Sequence, residues 1–234
     1  MPTAPASRTN RAAPRDGETS AEAVARHVRK LVFDGQLKAG QRLPQDEIAR
    51  AVGVSRIPVR EAIISLEREG WLRVENHRGA FVYPLDAKAV ADRFALYGRF
   101  YGFAARRAIE RMTPDDLESL DTLAAEVSRA KSAAAMERAN GRYLGKVVSV
   151  AASSRLSAVL RSMSPIVPGN FFTAVKESAP IQRRGIAAMH AAIAARDTEA
   201  AERASVDMQA EQSEAVITMM TLRRRAQPAV DTDA

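Results

Sequence analysis

The chain has 234 residues, 46% of them hydrophobic, enough to bury the core of one large domain or two small ones. Cysteine is absent, which removes disulfides, thiolate nucleophiles and thiolate zinc sites together, and no stretch approaches the roughly 20 uninterrupted apolar residues that span a bilayer. A formal charge of +7, from 35 basic and 28 acidic residues spread along the chain, suits a polyanionic partner and equally a solvated basic surface.

The first 20 residues, "MPTAPASRTNRAAPRDGETS", lack the apolar run of a secretory signal, so a cytoplasmic protein with no membrane partner is expected. Residues 1–18 carry no apolar period and are predicted to form a disordered arm. "TSAE" then offers a capping box, Thr19 with Glu22. Val24, Val28, Leu31 and Val32 follow at helical spacing, and Gly35 ends the helix. A short second helix is predicted over 45–52, with Ile48, Ala49 and Val52 inward and Gly53 as its break. Ser55 is placed to cap a third helix from Arg56 to Glu69, with Pro58 in its first turn, where a missing N–H is harmless. Past Gly70 the period changes to two: "WLRVE" and "AFVYP" read as strands joined by "NHRG".

From about residue 87 onward no strand is evident. Helices are predicted at 87–111, 114–135, 136–152, 154–175, 178–195 and 197–223, followed by a disordered tail at 224–234. Thr113 caps "TPDD", with Pro114 at the first helical position and Asp115 and Asp116 at the positive end of the dipole. Pro165, Pro168 and Gly169 in "SMSPIVPGN" predict a kink or interruption. The expected fold is mainly α: a winged helix-turn-helix over 19–85, three helices plus a hairpin, and an all-helical domain over 86–223.

Within the third helix, "GVSRIPVREAI", Val59, Ala62, Ile63 and Leu66 form one stripe, while Arg56 and Arg60 lie beside it, one turn or ~6 Å apart. Paired arginines in the first turns of a helix backed by another across a glycine turn have the shape that enters a DNA major groove. Their bland alternative is a surface pairing with Glu67 or Asp46. At the hairpin tip His77 and Arg78 precede Gly79, which lets backbone approach the minor groove or phosphates.

"LVFDGQLKAGQRLPQDEIARAVGVSRIPVREAIISLEREGWLRVENHRGAFV" resembles, over nearly its whole length, the DNA-binding domain of the GntR family of bacterial transcription regulators. The resemblance implies that Arg56 and Arg60 meet guanines or phosphates and that His77 and Gly79 meet DNA from the wing. Arg50, Ser55, Pro58 and Arg78 complete the candidate DNA-binding set. Some members carry a further DNA-contacting arginine on the second helix; this chain offers Asp46 or Glu47 there, with Arg50 one turn later.

The helical half resembles the FCD type of effector domain, on "FAARRAIERMTPDDLESL" and "AIAARDTEAAERA". Many such domains hold a divalent metal with one Asp and three His. Alignment of this chain puts Asn140, Leu144, Ile186 and Met208 at those positions, so no metal and no cofactor is expected. Tyr97, Tyr101, Asn140, Tyr143, Leu144, Gln182, Arg183, Ile186 and Met208 either line an effector pocket or fill the bundle core.

With no cysteine, three scattered histidines, no glycine-rich phosphate loop and no paired carboxylates in an obvious cleft setting, no catalytic residue is assigned and an enzyme is not expected. The expected partners are double-stranded DNA, a second copy of the chain and a small-molecule metabolite. The expected function is a ligand-responsive repressor, binding a short palindromic operator as a dimer. The alternative is a constitutive DNA-binding protein whose helical domain serves only dimerisation.

Overall fold

The structure, a computed structural model, describes residues 17–163 and 171–226 together with Pro14. The expected arm, apart from Pro14, Gly17 and Glu18, the tail beyond Ala226, and the break at Pro165, Pro168 and Gly169 lie outside the described residues. The chain divides into two compact units, Met1–Leu85 and Asp86–Ala234. The described residues are mainly α-helical, with one two-stranded antiparallel sheet.

In the first unit, α1 (Ser20–Phe33) opens on a complete capping box: Thr19 and Glu22 bond each other's backbone N–H. Next come α2 (Gln45–Val52) and α3 (Arg56–Arg68). The turn between them rests on glycine-permitted backbone, since Gly53 takes φ 80° and its N–H donates to the Ala49 carbonyl at the end of α2. Ser55 occupies the N-cap position of α3, yet its side chain makes no capping hydrogen bond. That corrects the expected cap and leaves the hydroxyl for another partner. Val59, Ala62, Ile63 and Leu66 are all buried, on a helix that packs against α1 and α2.

An ion pair fixes the far end of α3. Arg29 on α1 donates through Nε and Nη2 to Glu69, at 2.8–3.0 Å, and the Ser65 hydroxyl donates to the same carboxylate at 2.9 Å. Strands β1 (Leu72–Glu75) and β2 (Gly79–Val82) pair in the register Leu72↔Val82 to Glu75↔Gly79. The segment 40–43 lies along the other edge of β2: the Leu43 amide donates to the Ala80 carbonyl, and the Val82 amide to that of Gln41.

The second unit consists of α4 (Ala87–Arg111), α5 (Pro114–Arg129), α6 (Ala133–Val150), α7 (Ser154–Ser162), α8 (Phe171–Ala174), α9 (Ser178–Ala194) and α10 (Thr198–Ala226). Three expected boundaries change. The helix expected to reach 135 stops at Arg129, because Ala130 is extended and the Ser132 side chain caps α6 by accepting the Ala135 N–H. The helix expected over 154–175 is described as two segments, α7 and α8, and α10 continues to Ala226, into residues read from sequence as tail.

Long helices α4 and α10 touch at backbone range. A Cβ on Gly98 would lie 3.0 Å from the Val206 Cα, and one on Gly102 3.2 Å from the Glu202 Cα. The Ser205 hydroxyl donates to the Gly98 carbonyl across this contact. Thr113 and Asp116 form a second capping box at the start of α5. Lys146 on α6 donates to Asp116; that bond, followed by the two from Thr113, pulls the carboxyl down to about 2.

Candidate nucleic-acid interface and effector region

The buried stripe of α3 dictates what the opposite face shows. Arg56, Ile57, Arg60, Glu61 and Ile64 are exposed, with Ile57 at 68% and Ile64 at 64%. The guanidinium of Arg56 is held by Asp46 on α2: Nε lies 2.7 Å from Oδ1 and Nη2 donates to Oδ2 at 2.8 Å. Glu67, the other acid considered from sequence, instead accepts the Val74 amide. Arg50 donates to the Asp46 carbonyl oxygen. Arg60 has no hydrogen-bond or ion-pair partner among the described residues. Pro58 sits half-buried in the first turn of α3.

At the hairpin tip His77 takes φ 61° and Gly79 φ 105°, so the residues on either side of Arg78 reverse the chain in left-handed or glycine-favoured backbone. Arg78 donates to Glu75 at 2.6 Å, and its guanidinium carbon stands 5.7 Å from the Phe81 ring centroid. His77 and Arg78 are exposed. Exposed Arg42 reaches the tip end of the wing: its Nε is 3.1 Å from where a Gly79 Cβ would be.

Together these residues offer guanidinium forks suited to guanine edges and phosphates, a hydroxyl at Ser55, and apolar surface at Ile57 and Ile64. The thymine methyl is the apolar group a major groove presents. Sequence reasoning missed Arg42, which precedes the helix pair in the chain and joins the wing only through the pairing of segment 40–43. It also passed over Ile57, although its place between two arginines in "SRIPVR" was a usable signal.

Among the described residues, several of the nine effector-pocket candidates pack in the bundle core. Leu144, Ile186 and Met208 are core residues, 6%, 1% and 2% exposed, and a Cβ on Gly185 would fall 2.3 Å from the Met208 Cγ. Two apolar aliphatic side chains and a thioether give no set of hard or borderline donors, so these positions do not fit the divalent ion of the metal-holding FCD domains. Gln182 donates to Asn140 at 2.7 Å, and Gln212 donates to Gln182 and to the Ser178 carbonyl. These amides satisfy one another, except that the buried Gln212 Oε1 has no hydrogen-bond partner among the described residues.

Tyr97 donates to the Met163 carbonyl and stacks on Tyr101, whose phenol is pushed up to about 12, first by burial. Burial likewise pushes up Tyr143, whose hydroxyl lies 3.3 Å from His190 Nδ1; His190 Nε2 is 2.9 Å from Asp121. One imidazole thereby links α5, α6 and α9. A cleft of about 430 Å³ beside it is lined by Asp121, Ser128, Arg183, Ile186 and His190 over an alanine-rich floor. Of the nine candidates only Arg183 and Ile186 line that cleft; the rest pack or hydrogen-bond elsewhere. Arg183 also donates to the Ala130 carbonyl at the end of α5.

Two family signatures match the chain: bacterial regulatory proteins of the gntR family over residues 20–82, and the FCD domain over residues 101–210. An uncharacterized HTH-type transcriptional regulator of Mycobacterium tuberculosis is 30% identical over 190 residues, covering 81% of this chain and 78% of its own. The HTH-type transcriptional regulator McbR of Escherichia coli is 31% identical over 134 residues, 57% of each chain. Its solved structure matches with a TM-score of 0.56 at 20% identity, over 88% of this chain and 99% of that one. The structure of Lar, described as controlling expression of the Listeria monocytogenes agr system, matches with a TM-score of 0.60 at 20% identity, over 86% and 98%.

Proposed function

Because the chain belongs to the GntR family of bacterial transcriptional regulators, with a helix-turn-helix DNA-binding domain and an FCD domain, we propose that it is a ligand-responsive repressor that binds a short palindromic operator as a homodimer. The observation that carries the DNA half of this reading is the outer face of α3, where the exposed Arg60 fork has no partner among the described residues. A fork left open this way is available to a guanine O6 and N7. Two copies related by a twofold axis would meet two half-sites of inverted sequence. An effector would act by its different affinity for the DNA-competent and DNA-incompetent arrangements.

The test is selection from a library of randomised duplexes, followed by anisotropy titrations of the enriched sequence at several salt concentrations. Enrichment of an inverted repeat containing guanines, with affinity falling steeply as salt rises, supports the reading. Recovery of no sequence above background overturns it.

A second reading, a constitutive binder whose helical unit only pairs two copies, is favoured by the packing of Leu144, Ile186 and Met208 in the core. Thermal-shift screening with metabolites separates the two, since a ligand that binds only the folded state raises the midpoint.

A further inference from the structure

Asp46 stands on the DNA-reading side of α2 and does something specific to Arg56. Its carboxylate takes one N–H from Nε and one from Nη2, at 2.7 and 2.8 Å. A guanidinium has five N–H donors in a rigid plane. Of the three left over, two on Nη1 and one on Nη2, one from each nitrogen lies at the tip of the fork, clear of Asp46. An end-on fork of that kind is the half that meets guanine O6 and N7.

Both side chains are well exposed, 69% for Arg56 and 61% for Asp46, so the pair adds little to folding. A solvated contact of small folding value is a poor explanation for a two-point carboxylate grip on a helix aimed at DNA. Its effect falls on recognition instead, in two ways. An arginine already held in one plane loses less side-chain freedom when it docks on a base. An exposed carboxylate beside the reading helix also repels phosphates wherever Arg56 does not find its guanine, which lowers binding to unrelated sequence. Arg60, one turn on and without such a partner among the described residues, has no such restraint.

Resting on the DNA-binding reading above, we propose that Asp46 is a positioning residue that sets base preference through Arg56: it orients the guanidinium end-on for guanine and penalises every other sequence. Asp46 itself need touch no base. The two arginines of α3 then differ in role, Arg56 as the more discriminating contact and Arg60 as the more adaptable one.

The test compares the full chain with D46A, D46N, R56A and the D46A/R56A double variant, using the duplex enriched by the wild-type protein and versions changed at each guanine in turn. D46A should bind random duplex more tightly than wild type, and its preference for guanine at one position per half-site should fall about tenfold. D46N, which keeps a neutral acceptor but loses the charge, should fall between. In the R56A background, D46A should leave base preference unchanged while still strengthening binding to random duplex. Urea unfolding checks that each variant folds. Equal preference at every position in wild type and D46A overturns the proposal, as does an effect of D46A on base preference that persists without Arg56. Failure of the DNA reading itself looks different, because wild type would then enrich nothing.

Discussion

Replacing Arg60 with alanine tests the reading face with little structural confusion. The side chain is exposed and has no partner among the described residues, so stability should stay within about 0.5 kcal/mol of wild type. Loss of a bidentate base contact costs ~1–3 kcal/mol. At about 1.4 kcal/mol per tenfold, that is a weakening of roughly 5- to 150-fold for each half-site. Two distant half-sites add, giving about 2–6 kcal/mol for a palindrome. Anisotropy against the selected duplex and a scrambled one, at three or more salt concentrations, separates the chemistries. A base contact lowers affinity for the selected duplex far more than for the scrambled one. A phosphate contact lowers both alike and reduces the salt slope by about 0.9 for each phosphate lost. Titrations of Arg60→Ala that superpose on wild type for both duplexes would refute the assignment of α3 as the reading helix.

Glu69→Ala should destabilise the first unit by about 1–3 kcal/mol in urea unfolding, since it strands the half-buried Arg29 guanidinium; a change under about 0.5 kcal/mol counts against the role given to this pair. For Gly185→Ala the expected cost is about 1–3 kcal/mol, because the new methyl meets the Met208 side chain. Adding Met208→Ala should recover part of that loss, and strictly additive effects would show that the two residues do not collide. His27 is held below its ordinary 6.5, first by burial and then by Arg26 and Lys30. The unfolded chain therefore takes up that proton more readily, so this contribution is complete above about pH 6.5 and declines as pH falls from there. Urea midpoints at pH 7.5 and 5.5 should diverge less for His27→Gln than for wild type, and parallel shifts would sink the assignment.

Local chemistry made the first unit readable. Gly53, the buried α3 stripe and the switch to period two after Gly70 each leave a signature within a few residues. Asp46 and Arg56 are ten apart and were readable as a pair, but the carboxylate's effect on the fork needs the angle between α2 and α3. Arg29 and Glu69 are 40 residues apart, and nothing local joins them. The helical unit was harder for a different reason. Alanine-rich segments have high helix propensity whether or not a helix continues, so the stop at Arg129 is decided by one Ser132 cap. The Asp121–His190–Tyr143 link spans three helices and separations of 69 and 47 residues, beyond any sequence period. Resemblance placed Leu144, Ile186 and Met208 at the metal-ligand positions of related domains, but only packing shows them filling the core.

The hairpin also bears on how such a protein behaves when many copies crowd together. A small sheet normally offers two open borders to any stray extended chain. Here one border is sealed by segment 40–43, and on the other the Glu67 carboxylate occupies the outward amide of Val74. A foreign strand would have to displace a charge from one side or a length of backbone from the other. The wing can therefore be thin and solvent-swept, as a projecting finger must be, without becoming a seed for fibrils.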